Sequence, residues 1–135
     1  MVSLKKILNK ILKSLTGVET KTLLWENASP RSEFRGQRIN LNLRLYNFVE
    51  VIYTLDPGST MQIIERCEYG DEVTVERFIN PTYRSGILQY LFREGWASER
   101  GYEFSDAYIQ TVDSENPSVN NRYLIPIKIY GIKGV

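Results

Sequence analysis

Carboxylates and hydroxyl groups are the side chains that could support catalysis here, because the chain contains no histidine. Without an imidazole, a serine or cysteine nucleophile lacks its usual general base, and the commonest metal ligand is missing. A pair of carboxylates could still cleave a glycosidic bond. The densest acidic cluster is Glu65, Glu68, Asp71 and Glu72, around a predicted turn, and positions 65 and 68 would face opposite sides of a regular strand. We therefore predict a solvated turn, no catalytic residue and no enzyme activity.

The chain also carries no pattern that is typical of a cofactor or metal site. Its one cysteine, Cys67, excludes an intrachain disulfide and lies in "MQIIERCEY", a predicted strand in which a small buried side chain is expected. The segment "LDPGS" is typical of a Pro-Gly turn, and the EF-hand, Walker and Rossmann patterns are missing. We expect neither a cofactor nor a bound metal.

Aromatic residues near the middle of the chain are a second source of chemistry, because their rings can stack on sugars. Tyr83, Tyr90, Trp96 and Tyr102 lie on or beside the two longest middle connections. The segments "TYRSG" and "EGWASERGYE" mix aromatic, hydroxyl and charged side chains, so Tyr83, Trp96 and Tyr102 are candidate ligand-binding residues. The alternative is that these rings fill or cover the core.

The elements that must position these residues begin with an amphipathic helix over residues 1–17, a stem or tether. Ser3 is a credible N-cap, and Gly17 is placed to end the helix. Apolar residues recur at helical spacing and form a predicted oligomer interface: Leu4, Leu8, Ile11 and Leu15. A helix this short needs a partner. That partner could be another copy or a neighbouring protein, the chain's own body, or a membrane surface, and we favour the first.

From Leu23 onward the hydrophobic period changes from 3.6 to about 2, which predicts strands. About eight short apolar runs separated by turn signals favour an antiparallel β-sandwich or jelly roll over residues 18–135. The stretch "QRINLNLRL" alternates, so one set of side chains is expected in the core and the other in solvent. The first set is Ile39, Leu41, Leu43 and Leu45, and the second is Arg38, Asn40, Asn42 and Arg44. We expect this strand to pair with "NFVEVIYTL" through a Tyr46-Asn47 connection.

Composition and charge limit the partners of this chain. Its 135 residues are 42% hydrophobic, which suits one folded domain. The net charge is +1, but residues 1–16 carry four lysines and no acidic group, so the remainder is slightly acidic. We expect no nucleic-acid partner, because an acidic body lacks a basic groove. Lys10 and Lys13 interrupt the apolar run that a signal peptide needs, and no run reaches transmembrane length.

The first third and the last tenth of the chain resemble small β-sandwich structural modules of tailed bacteriophages. The matching positions are Leu24, Trp25, Asn27, Phe34, Gln37, Ile39, Leu41, Leu43, Tyr46, Val49, Val51 and Tyr53, followed by the closing "IPIKIYGIKGV". The resemblance implies a non-enzymatic tail, fibre or head component, assembled with other virion proteins in the host bacterial cytoplasm. It also favours a homotrimer. The alternative is a head that binds a surface glycan or receptor through the middle aromatic loops.

Overall fold

The computed structural model describes residues 3–8, 19–79, 88–111 and 116–134. Within these ranges residues 4–8 are helical, and a 3₁₀ turn spans Leu43–Leu45. The strands of the described chain are β1 (Thr20–Glu26), β2 (Gln37–Asn40), β3 (Phe48–Thr54), β4 (Gln62–Cys67), β5 (Glu72–Ile79), β6 (Gln89–Ser98), β7 (Gly101–Thr111), β8 (Ser118–Val119) and β9 (Ile125–Lys133). The predicted class, mainly β with a short N-terminal helix, is confirmed.

The strands form two antiparallel sheets that pack face to face as a sandwich. Sheet A has the order β1-β9-β3-β4. Sheet B has the order β2-β7-β6-β5, and β8 also pairs with β7. β2 and β8 pair with different halves of the same edge of β7, and β6 pairs with the other edge. β7 therefore has strand partners on both of its edges.

The core lies between the two sheets and is rich in aromatic rings. Phe34 packs edge-on against Trp25 and Phe104, with ring centroids 5.9 and 5.3 Å apart. Tyr53 of sheet A meets Phe104 of sheet B at 6.2 Å, which joins the two layers. Cys67 is a buried free thiol, as the sequence predicted, and burial raises its pKa to about 11.

The alternating stretch from Gln37 to Leu45 is a strand over its first half only. Ile39 and Leu41 are half-buried and Leu43 is fully buried, but Leu45 is 60% exposed. The prediction that Leu45 faces the core was wrong because the chain leaves sheet B after Asn40 and turns through the 3₁₀ segment, where the period of two no longer applies. The predicted exposed set is confirmed: Arg38, Asn40, Asn42 and Arg44.

The predicted hairpin between β2 and β3 does not form. β2 pairs with β7 in sheet B, whereas β3 pairs with β4 and β9 in sheet A. The connection at 41–47 therefore crosses from one layer of the sandwich to the other. Leu43 sits in that crossing with its side chain fully in the core, which explains why the stretch is apolar.

A buried arginine ties the second sheet to two loops. Arg93 of β6 is fully buried, and its guanidinium donates to the carbonyl oxygens of Ser105 (2.6 Å), Phe34 (2.8 Å), Leu124 (2.9 Å) and Tyr123 (3.3 Å). Burial lowers its pKa to about 10, so it remains charged at neutral pH. Its donors are satisfied by backbone carbonyls, which holds the segments before β2 and β9 against sheet B.

A charged network covers the outer face of sheet A. The Glu50 carboxylate is buried and accepts bonds from Lys21 (2.9 Å) and Arg66 (3.0 Å), and Arg66 also pairs with Glu19 (2.9 Å). Burial opposes ionisation of Glu50, but the two cations prevail and lower its pKa below the ordinary value. These ion pairs make the part of the outer face of sheet A around Glu50 polar.

Candidate interaction surface

The three aromatic residues predicted to bind a ligand do not meet at one site. Tyr83 lies outside the described residues. Tyr102 belongs to β7, is 1% exposed and contributes to the core, so the prediction that it offers its ring to a ligand was wrong. Burial, together with the neighbouring Tyr53, raises the pKa of Tyr102 well above its usual range.

The cause of this error is the length of the strands around the second predicted loop. Ser98 pairs with Gly101, so only two residues connect β6 to β7. Gly101 has a φ of +143°, and a Cβ there would lie 1.9 Å from the carbonyl oxygen of Ile39, so this position requires glycine. The tight turn extends both strands and moves Trp96 and Tyr102 out of the predicted loop.

Trp96 lies on the outer face of sheet B and is 44% exposed. In the strand pairing, Trp96 lies directly opposite Glu72 on β5 and Glu103 on β7. The three residues line a shallow cleft of about 600 Å³ together with Thr74 and Glu94. An indole ring bordered by carboxylates is suited to a cation, because the ring face and the acids both attract positive charge.

Four further aromatic rings form a continuous row on the same outer face, which we call the aromatic ladder. Its members are Phe78 on β5, Tyr90 and Phe92 on β6, and Tyr108 on β7. Successive ring centroids are 5.0, 5.2 and 5.3 Å apart, with interplanar angles of 34°, 25° and 20°. The Tyr90–Phe92 and Phe92–Tyr108 pairs are stacked with an offset, whereas Phe78 is tilted against Tyr90. The inner rings therefore have their faces covered by one another, and the ladder presents ring edges outward.

Together with Val119, the aromatic ladder spans sheet B from β5 to β8. Phe78 is largely exposed on β5, and Val119, which pairs with Tyr108, is exposed on β8. The Tyr90 hydroxyl donates to the Glu76 carboxylate, and this bond raises the pKa of Tyr90 to about 12. The result is an apolar band across β5, β6, β7 and β8 that is exposed at both ends and half-buried between them, and apolar surface of this kind marks interaction sites.

The outer face of sheet B is also acidic. Strand pairing places four carboxylates on this side: Glu72, Glu76, Glu94 and Glu103. Among the described residues that pair directly with these carboxylates, Arg38, opposite Glu103, is the one that carries a positive charge. Such a surface repels polyanions and favours a positively charged partner.

The sequence reasoning did not identify Phe78, Phe92 and Tyr108, because aromatic strand residues were expected to lie in the core. One signal could have found them. In β6 the core residue Leu91 stands between Tyr90 and Phe92, so both faces of this strand are apolar. Strands of that kind are typically covered on both sides. Within the described chain, sheet A covers the inner face of β6, and nothing covers its outer face.

The N-terminal helix is the second surface of interest. Ser3 is its N-cap, as predicted, because its Oγ accepts the Lys6 backbone N–H at 3.2 Å. Leu4, Ile7 and Leu8 are all exposed although they share one side of the helix. Ile11, Leu15 and Gly17 lie outside the described residues, as does the predicted boundary at 17/18.

The acidic cluster near Glu68 is a turn, as predicted. Asp71 Oδ2 accepts the Glu68 backbone N–H at 2.9 Å, and Gly70 adopts a positive φ of 91° between β4 and β5.

In the described ranges, no group of three or more cysteine, aspartate or glutamate side chains is placed to hold a metal ion. No helix of that part of the chain is long and apolar enough to span a membrane.

The chain matches no family model, no curated protein and no solved structure.

Proposed function

We propose that this protein is a non-enzymatic structural and assembly module that associates with itself through its N-terminal helix. The observation that carries the proposal is the exposure of Leu4, Ile7 and Leu8 on a single helical turn. Full burial of an exposed apolar side chain contributes roughly 1.5–3 kcal/mol, and these three side chains, which are 43–70% exposed, contribute the corresponding fraction against the cost of association. A helix of this length gains little from its own hydrogen bonds, so a packing partner is what makes it persist.

The proposed setting of this assembly role is a virion, and the resemblance to tailed-bacteriophage modules supports it. The residues that carry the resemblance are packing and turn residues: Trp25 and Phe34 share an aromatic cluster, and the Asn27 side chain donates to the Pro126 carbonyl at 2.9 Å. Such residues define a small sandwich rather than a reaction. The proposed setting is a tail, fibre or head component that contacts other virion proteins and assembles in the host bacterial cytoplasm.

A homotrimer is the proposed oligomer. Fibre-like virion parts commonly have threefold symmetry, and a closed cyclic arrangement gives every helix an identical environment. The stem formed by residues 1–17 contributes to the interface in each copy.

The test compares the mass of the full chain by light scattering with that of two leucine-to-aspartate variants. Leu8→Asp should shift the protein to monomer, because the change introduces a charge into the apolar side of the helix. Leu45→Asp is the matched control, since Leu45 is exposed on the body and its variant should keep the native mass. An unchanged mass for Leu8→Asp would contradict the proposal.

A second candidate function, glycan or receptor binding, is favoured by the exposed Trp96 in its cleft. Trp96 lies outside the aromatic ladder, and Glu72, Glu103 and Thr74 beside it can bond to sugar hydroxyls. A glycan array would show specific binding that is lost in Trp96→Ala and kept in Tyr130→Ala, a partly exposed tyrosine on β9 of sheet A. The absence of any specific signal from the unaltered chain would remove this candidate.

A further inference from the structure

We infer that the outer face of sheet B receives the N-terminal helix of a second copy of this chain. The inference rests on the proposed self-assembly and names the surface on which the helix lands. Its basis is a match between two features of the same molecule. One is an apolar band, bordered by carboxylates, that no element of the described chain covers, and the other is a basic helix whose described apolar side chains are exposed.

Charge complementarity is the first part of the match. The helix carries Lys5 and Lys6 within its described turn, and the sequence adds Lys10 and Lys13 without any acidic residue through position 16. Among the described residues of its paired rows, the receiving face carries Glu72, Glu76, Glu94 and Glu103 against Arg38. Opposite charges of this kind select and orient a partner. Two sheet B faces brought together would repel each other, as would two helices.

Apolar complementarity is the second part. Leu4, Ile7 and Leu8 occupy positions i, i+3 and i+4, which is one side of a helix. The apolar band crosses four strands, or about 14 Å at the usual strand spacing. About nine helical residues span that distance. A helix of the length predicted here can therefore lie along the band with its leucines on the exposed ring edges.

The cleft at Trp96 supplies a place for a lysine of the incoming helix. An ammonium group over the indole face would be attracted by the ring and by the Glu72 and Glu103 carboxylates at its sides. The aliphatic stem of the lysine would contact the same ring. The cleft lies on the same face of sheet B as the aromatic ladder, four residues further along β6 than Phe92, and it extends the acidic surface that the incoming helix meets.

The geometry of such an assembly is head to tail, because each copy donates a helix and receives one. A heterologous contact of this type closes into a ring when the rotation between copies is suitable, and closure after three copies gives the homotrimer. The described turn of the helix has its apolar side chains in solvent, so it does not occupy the face of its own chain.

The test is disulfide trapping in the full chain carrying both Leu8→Cys and Val119→Cys. Cys67 does not interfere, because it is buried and its pKa is raised to about 11. Oxidation should give covalent multimers on a denaturing gel, and each single variant should give none. The chain with Leu8→Cys and Ile64→Cys is the matched control and should also give none. Ile64 is 58% exposed and Val119 is 55% exposed, but Ile64 belongs to sheet A.

Two results would overturn the inference. Covalent dimers from Leu8→Cys alone would show that the helices pair with each other. A disulfide formed only within single chains of the double variant would show that the helix docks on its own body.

A second measurement separates failure of the inference from failure of the proposed function. Val119→Lys replaces an apolar contact of the band with a charge that repels the basic helix, and it should raise the dissociation constant of the assembly at least about tenfold, a change worth about 1.4 kcal/mol. Ile64→Lys should leave that constant unchanged. If Leu8→Asp dissociates the protein but Val119→Lys does not, assembly through the helix stands and docking on sheet B is wrong. A monomeric unaltered chain would overturn both.

Discussion

Replacing the buried arginine of β6 should be among the most destabilising single changes in this protein. Arg93→Met keeps most of the side-chain volume but removes every donor from the carbonyls of Phe34, Ser105, Tyr123 and Leu124. Hydrogen bonds to a charged group contribute about 1.5–3 kcal/mol each, and a buried acceptor left without a donor costs about 1–3 kcal/mol. The loss of stability before any compensation is the sum of these four contributions.

The gross loss is partly offset, because the methionine no longer buries a charge. The desolvation penalty of one buried ion is several kcal/mol. We therefore expect a net loss of about 3–5 kcal/mol, which is a large fraction of the 5–15 kcal/mol that is typical for a folded domain. The stability of Arg93→Lys should lie between that of the unaltered chain and that of Arg93→Met, since one ammonium group cannot reach all four acceptors.

Urea unfolding followed by tryptophan fluorescence measures this loss directly. Arg77→Met is the control: Arg77 is exposed and donates to the neighbouring Glu76 carbonyl, so its loss should be within about 0.5 kcal/mol. A loss below about 1 kcal/mol for Arg93→Met would refute the reasoning. Wild-type stability in Arg93→Lys would show that the guanidinium fork is not what holds the loops.

Two further predictions concern burial and charge, and the same unfolding measurement checks both. Leu43→Ala should cost about 2–5 kcal/mol because Leu43 is fully buried, whereas Leu45→Ala should cost less than about 0.5 kcal/mol; similar losses would contradict the 3₁₀ crossing. Glu50→Gln should cost about 1–3 kcal/mol at pH 7, because it breaks two charge-assisted bonds to a buried carboxylate, and Glu99→Gln at an exposed pair should cost under about 1 kcal/mol. The pKa of Glu50 is lower in the folded chain, so its contribution is present above the ordinary value near 4.5 and is lost as the pH falls through the folded value. A Glu50→Gln difference that stays constant through acid pH would disprove the ion-pair account.

Most strands could be predicted because their apolar periodicity and turn signals agree. β3, β4 and β5 lie within predicted runs, whereas β1, β6, β7 and β9 overlap predicted runs and extend beyond them. β8 was missed because Ser118–Val119 forms a strand only by pairing with β7, which is a tertiary effect. The partner of β2 was also missed, since alternation identifies the faces of a strand but not the sheet that it joins.

The candidate surface was harder to predict than the fold. Period-two patterns show that Tyr90, Phe92 and Leu91 alternate, but they do not show which side faces the opposing sheet. The inward orientation of Arg93 was equally hard to predict, because a charged residue in a strand is normally expected in solvent. Its inward orientation depends on carbonyls from loops that are distant in sequence, such as those of Phe34 and Leu124.

The central claim is that the helix makes this protein an assembly, and the mass of the unaltered full chain in solution tests it most directly. Light scattering across a range of protein concentrations should give three times the 15.7 kDa of one chain, with dissociation only on dilution. A mass of one chain at every concentration would contradict the account, because Leu4, Ile7 and Leu8 would then have no partner in a second copy.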